Sequence, residues 1–276
     1  MPIASVDDYI AARKQSLVYY RTNQSRSIST LVWGSLLDLS GGNPSGGVLA
    51  GTDTTAGVVP TSSTAGFPFI NSVGTQRAYL TMVDLAMSFA GRARWYDLLW
   101  KAGAYPFNAN VTLSAQPSYA SRLIIDPDNQ PSTSIYAGST GIFVEGVTAS
   151  SGTGVITVTY TNQSGVTGRS TGAVTLIPTG ALQVGSVMQL PLQAGDSGVQ
   201  KIESVVMTGL TAGTFNILVM RYLGGARIAT APGQDILGFD RTGAPLIFDT
   251  TALYPLISSD GGSIGLVHAQ FEVASK

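Results

Sequence analysis

The chain has 276 residues, a formal net charge of -1, 44% hydrophobic residues and only 11% charged residues, against roughly 25% charged in ordinary soluble domains. It contains no cysteine, which excludes disulfides, thiolate metal sites and a cysteine nucleophile, and its near-zero charge lacks the electrostatic footprint of a nucleic-acid binder. The length suits one large β domain, or two smaller ones with an N-terminal extension, and Thr, Ser, Gly, Asn and Gln stand where charge is missing, a surface suited to dense protein contacts.

The first residues, Met1-Pro2-Ile3-Ala4-Ser5-Val6-Asp7-Asp8, lack the basic start and apolar stretch of a signal peptide. No run of about eighteen apolar residues follows anywhere, so no membrane partner is expected. Ser5 stands three residues before Asp8 as a helix cap, and Val6, Tyr9, Ile10, Leu17 and Tyr20 recur at roughly helical spacing. This predicts a helix over 6–21, with Asp7 and Asp8 in the first turn and Arg13, Lys14 and Arg21 later, complementing the helix dipole. From Ser40 to Gly74 the sequence thins into Gly, Ser, Thr and Pro, broken by Asn43-Pro44-Ser45-Gly46-Gly47 and Gly66-Phe67-Pro68-Phe69. So long an irregular segment is expected to lie along a partner.

Tyr79 to Ser88 and Arg92 to Trp100 read as two strands around Ala90-Gly91, and Asp126-Pro127-Asp128-Asn129-Gln130-Pro131 breaks the chain after them. In Val155-Ile156-Thr157-Val158-Thr159-Tyr160-Thr161, Ile156, Val158 and Tyr160 share one face and the threonines the other, the mark of a half-buried antiparallel strand. Asn162-Gln163-Ser164-Gly165 turns it into a hairpin with Val166 to Leu176. Further strands are predicted at 187–192, 199–208 and 214–223, the last apolar on both faces and therefore central. Short strands near 246–248 and 264–273 close the chain around the turn Asp260-Gly261-Gly262-Ser263. The expected fold is mainly β: antiparallel β-sandwich or jelly-roll-like domains with an N-terminal helix and an extended Gly/Ser/Thr-rich arm. Its expected divisions are residues 1–75 (helix and arm), 76–131 (a first β region) and 132–276 (a C-terminal β-sandwich).

No motif commits the chain to chemistry. Gly195-Asp196-Ser197-Gly198 resembles the nucleophile segment of chymotrypsin-like proteases, but that chemistry needs a histidine base earlier in the chain, and the single histidine is His268. A turn accounts for these residues, with Ser197 inert. One histidine and no cysteine leave only hard cations for a metal site; Asp126, Asp128 and Asn129 lack the EF-hand spacing, and an Asp-Pro turn accounts for them better. No Gly-x-x-x-x-Gly-Lys-Ser/Thr loop occurs. In Arg92-Ala93-Arg94-Trp95-Tyr96-Asp97-Leu98-Leu99-Trp100-Lys101 the bases and aromatics could stack on nucleic-acid bases or sugars. On a strand, however, Arg92, Arg94 and Tyr96 face one way and Ala93, Trp95 and Asp97 the other, as core plus cross-strand pairing requires. No catalytic residue, cofactor or metal is expected, and no nucleic-acid partner.

The block Tyr160-Thr161-Asn162-Gln163-Ser164-Gly165-Val166-Thr167-Gly168-Arg169-Ser170-Thr171-Gly172, with the later block Gln189-Leu190-Pro191-Leu192-Gln193-Ala194-Gly195-Asp196-Ser197-Gly198-Val199-Gln200-Lys201-Ile202-Glu203-Ser204-Val205, resembles structural proteins of tailed bacteriophages. The resemblance extends upstream through Trp95 to Tyr119. It implies a virion component assembled in the bacterial host cytoplasm, of the head-associated decoration or minor capsid type, with copies of itself and the major capsid protein as partners. A tail-associated receptor- or glycan-binding module is the alternative. In such a setting Tyr9, Tyr19, Tyr20, Trp33, Phe67 and Phe69 are the candidate interface anchors, with packing inside the chain as their other use.

Overall fold

The computed structural model describes residues 5–21, 26–27, 32–37, 42–43, 55–62, 64, 77–124, 134–138, 140–176, 182–209, 212–248, 250–261 and 263–275. The chain opens with α1 (Val6–Ala11), β1 (Arg13–Arg21), β2 (Arg26–Ser27), β3 (Trp33–Ser35), β4 (Gly42–Asn43), β5 (Ala78–Met87), β6 (Gly91–Pro106) and β7 (Asn110–Thr112). After a 3-10 turn at Ala120–Arg122 come β8 (Thr140–Thr148), β9 (Gly154–Asn162), β10 (Arg169–Ser170), β11 (Val174–Leu176), β12 (Ser186–Leu190), β13 (Val199–Thr208) and β14 (Thr214–Ile228). The last part holds β15 (Gly233–Leu237), α2 (Phe239–Thr242), β16 (Leu246–Ile247), β17 (Leu253–Ser259), β18 (Ser263–Ile264) and β19 (Val267–Ser275).

The fold is mainly β, as the sequence predicts, and every pairing between described strands is antiparallel. At its centre β12, β3, β17, β6, β14 and β8 close into a barrel. Closure needs strands that bend. The long pair β6 and β14 slips register between Phe215 and Ile217, between Val219 and Met220 and between Tyr222 and Gly224, and such bulges bend and twist a strand. One open sheet has the order β15-β5-β19-β1-β4 with β16 also on β5; another has the order β10-β9-β13-β7 with β11 also on β9. Trp95, on the outside of the barrel, meets Phe271 of β19 edge-on at 5.7 Å, and one continuous apolar core runs through the barrel and both open sheets.

The alternation read in β9 is realised: Ile156, Val158 and Tyr160 are fully buried. The hairpin after it returns as two short strands, β10 and β11, on either side of Thr171, whose Oγ1 accepts the Val158 N–H at 3.0 Å. The strand predicted at 214–223 is central, paired with β6 on one side and β8 on the other. It does not stop at Leu223: Gly224 and Gly225 lie inside the strand, at a bulge, and pairing continues to Ile228.

The N-terminal helix is corrected. It spans only Val6–Ala11, capped by the Ser5 hydroxyl accepting the Asp8 N–H, and Ala12 is already extended. Residues 13–21 form a strand instead, in unbroken register with β19 from Arg13 opposite Ser275 to Arg21 opposite Val267. An isolated helix of this length gains little, whereas Val18, Tyr19 and Tyr20 are strand formers and the ladder satisfies their backbone groups. Nor do the described parts of residues 1–75 form a detached arm. β3 is a barrel strand, the Val58 N–H donates to the Lys101 carbonyl, and the Ala56 carbonyl accepts the indole N–H of Trp100. Strands from all three predicted segments therefore meet in the same barrel. Among the described residues no helix is long and apolar enough to cross a membrane.

Candidate functional site

The barrel interior is identified by contacts between strands that are not neighbours in its ring. The Tyr254 hydroxyl of β17 donates to the Glu145 carboxylate of β8 in a short hydrogen bond, Tyr96 of β6 meets Phe143 of β8 edge-on at 5.2 Å, and the Arg94 guanidinium of β6 lies 4.7 Å from the centre of the Trp33 ring of β3. Such contacts can only cross the lumen. The lumen has two parts. Its depth is polar and closed: besides Tyr254, Asn216 donates from Nδ2 to Glu145 at 2.8 Å, and Lys101 lies nearby, fully buried like them. Burial drives the Lys101 ammonium down to about 8, and the Glu145 carboxylate offsets only part of that shift.

The mouth is aromatic and cationic. Tyr96 also meets Tyr222 edge-on at 5.6 Å. Burial raises the Tyr96 hydroxyl above its ordinary value, and Arg94 partly restores it. Gln189, Thr140, Ser197 and Met220 complete a cleft of about 410 Å³. A second cleft, of about 330 Å³, shares Arg94 and Tyr222 with it and is lined further by Arg92, Arg227 and Arg241. The glycine pair in β14 makes room for this arrangement. A Cβ on Gly224 would press into the indole of Trp95, and one on Gly225 would stand 3.0 Å from the Tyr222 hydroxyl and 3.2 Å from Cγ of Arg94.

A second buried ionic cluster sits on the outer face of β6, on the side the sequence assigns to Trp95 and Asp97. Asp97 accepts hydrogen bonds from Arg122, from Thr251 Oγ1 at 3.4 Å and from the Ala252 N–H at 3.2 Å, and Arg221 approaches it at 3.6 Å. These contacts clamp β6, the 120–122 turn, β14 and the segment before β17 to one another.

The Gly195-Asp196-Ser197-Gly198 segment is structural in each of its residues. Gly195 adopts a left-handed conformation, with φ of 88°. Asp196 accepts from the Tyr160 hydroxyl at 2.8 Å, Asn162 Nδ2 at 2.7 Å and Arg169 Nε at 2.8 Å. Burial opposes ionisation of this carboxyl, but the bonds from Arg169, Asn162 and Tyr160 outweigh it and hold the pKa below the ordinary carboxylate value. The Ser197 carbonyl accepts the Gly138 N–H at 2.7 Å, and Gln163 Oε1 accepts the backbone N–H groups of Ser197 and Gly198. A Cβ on Gly198 would collide with the Tyr136 carbonyl oxygen. We expect Gly198→Ala to cost about 2 kcal/mol, the usual penalty of overpacking against backbone, read as a lower midpoint in urea denaturation with an unchanged slope. The histidine that protease chemistry would require is elsewhere: His268 is in β19, opposite Ala86 and Tyr20, in a different sheet.

Of the predicted anchors, Tyr9 and Trp33 pack within the chain. Tyr9 stacks on Phe239 at 5.7 Å and its hydroxyl donates to Glu272, and Trp33 underlies Arg94 in the lumen. The backbones of Tyr19 and Tyr20 pair with Ala269 and His268. Phe67 and Phe69, like Asp126, Asp128 and Asn129, lie outside the described residues. Sequence reasoning did not reach Tyr222 or Gln189 as site residues. The available signal was Gly224-Gly225, which reads equally as a strand end and as the bulge that it is.

No family model and no curated protein matches the chain. Among solved structures, that of the infectious bursal disease virus Gx strain aligns at 9% identity over 96% of this chain and 80% of that one, with a TM-score of 0.16. A mutant VP2 protein of the same virus, in derived T=1 particles, aligns at 9% identity over 96% and 77% of the two chains, with a TM-score of 0.17. Scores this low establish no shared fold.

Proposed function

We propose that this chain is a non-enzymatic structural subunit of a phage-type virion, of the capsid-associated or decorating kind, working through contacts with copies of itself and with other virion proteins. The observation that carries this reading is where the charge sits. Only 11% of the residues are charged, and Asp97, Lys101, Arg122, Glu145 and Arg221 are buried, so even this small complement is partly withheld from the surface. Interfaces are depleted of charge at their cores, and a surface without net repulsion favours association. The sequence resemblance to tailed-phage structural proteins supports the same setting.

A contact point is at hand in α1. Val6 and Ile10, one helical turn apart, are 66% and 69% exposed, while Tyr9 fastens the helix to the chain's own Phe239 and Glu272. The test is a Val6→Ser, Ile10→Ser double variant. We expect unchanged circular dichroism and melting, with weaker self-association in analytical ultracentrifugation and reduced incorporation into particles. A wild-type chain that stays monomeric at every concentration and joins no particle would overturn the proposal. The alternative reading, a receptor- or glycan-binding module, is favoured by the open aromatic mouth of the barrel.

A further inference from the structure

We infer that the barrel mouth binds a carboxylate-bearing sugar, a hexuronate unit of an acidic polysaccharide, with Arg94 pairing the carboxylate and Tyr222 stacking on the sugar ring. This goes beyond the assembly reading and does not depend on it.

Arg122, Arg169, Arg221, Arg227 and Arg241 each have a carboxylate within ion-pair distance. Among the described residues no carboxylate is paired with Arg94, although it is half-buried and its guanidinium lies 4.7 Å from the centre of the Trp33 ring. A guanidinium packed against a ring is a ready fork for a carboxylate, since part of its freedom is already lost before binding. Beside it stands Tyr222, steadied edge-on by Tyr96 yet 53% exposed, an unusual position for a large ring on a strand whose other apolar side chains are inside. The bulge at Gly224 and Gly225 keeps the two together, because any side chain at 225 would press on both. Bulges at barrel rims commonly re-aim side chains in this way.

The rest of the cleft selects the ligand class. Gln189 and Ser197 offer neutral hydrogen-bonding groups of the kind that sugar hydroxyls meet, and the volume of about 410 Å³ falls in the range of small-molecule sites. Deeper in the lumen Glu145 is engaged by Tyr254 and Asn216, and the cation that lines the cleft itself is Arg94. A nucleic acid would need many phosphate contacts, and a net charge of -1 does not support them. One carboxylate on a hydroxyl-rich ring matches one arginine beside one open tyrosine.

The experiment is titration of the purified chain with oligomers of D-galacturonate and of D-glucuronate, by calorimetry and by tryptophan emission. Trp95 and Trp100 are fully buried, so a ligand at the mouth perturbs the emission of Trp33. We expect saturable binding of at least one uronate series, at least about tenfold weaker binding of the matching neutral oligomers, and a similar loss in Arg94→Gln. Tyr222→Ala, at an exposed position, should weaken binding with unchanged melting, and Lys201→Gln, exposed on β13, should bind as wild type. The inference is overturned if the folded wild type binds no uronate oligomer saturably. It is equally overturned if neutral oligomers bind as tightly, or if folded Arg94→Gln and Tyr222→Ala both bind as wild type.

Discussion

Asp97→Ala is expected to lower the free energy of unfolding near pH 7 by about 4 kcal/mol. The carboxylate is 0% exposed and is the only anion that the described structure places between two buried guanidiniums. Arg122 donates to it from Nε at 3.3 Å and also from Nη2, while its Nη1 donates to the Pro60 carbonyl at 2.5 Å. Arg221 donates from Nη2 to the Leu246 carbonyl at 3.0 Å and lies 5.4 Å from the Phe248 ring centre. Burial, with the neighbouring Arg221 charge adding to it, pushes Arg122 down to about 9, and burial pushes Arg221 down to about 10. Both remain cations at neutral pH. Without Asp97 two positive charges are left inside with no counter-ion, and that exposed imbalance, more than the lost contacts, sets the size of the effect.

The distinction can be measured. Asp97→Asn keeps the shape but not the charge and should lose most of the same stability. A triple variant, Asp97→Leu with Arg122→Met and Arg221→Met, removes all three charges and should recover much of it, because well-packed apolar replacements of buried ion clusters are often neutral or better. Urea denaturation of the four proteins checks this. An Asp97→Ala variant within about 1 kcal/mol of wild type would show that the cluster contributes little beyond packing.

How much of this was legible in the sequence depends on whether a strand has one wet face. β9 keeps alternate positions out of the core, so a period of two stands out, whereas in β13 the buried Val199, Ile202, Val205 and Met207 fall three, three and two apart across two bulges. β8 and β17 are buried on nearly every residue, and Thr-Gly-Ile-Phe-Val-Glu-Gly and Leu-Tyr-Pro-Leu-Ile accordingly show no alternation to find. β1 misled in another way: Leu17 and Tyr20 continue the near-helical spacing that Val6, Tyr9 and Ile10 begin in α1, and only the long-range partner β19 makes the chain a strand there. For the site, the face split of Arg94 and Tyr96 against Trp95 and Asp97 is correct from spacing alone. That Trp33, some sixty residues upstream, supplies the surface beneath Arg94 follows from barrel closure, which three residues of β3 cannot announce.

Lys101 offers the second large effect, this time through pH. Its ammonium is inside the barrel, and burial holds its pKa at about 8 in the folded chain against 10.5 when exposed, with Glu145 opposing the shift. Below pH 8 both folded and unfolded chains carry the proton, and the folded state bears the full cost of a buried cation. Between pH 8 and 10.5 the folded chain has released a proton that the unfolded chain still holds, so raising the pH favours folding, by at most about 3 kcal/mol across the window. Lys101→Met removes the titrating group while Tyr254 and Asn216 still donate to Glu145. Because the substitution also withdraws the charge that faces Glu145, the expected result is the slope: wild type gains stability relative to the variant, by at most about 3 kcal/mol, as the pH rises from 8 to 10.5. The difference between their urea-denaturation curves reports Lys101 together with the Glu145 carboxylate coupled to it. Two curves that stay parallel across that range would mean that the lysine is solvated in the folded state, and that the floor of the barrel is open to water.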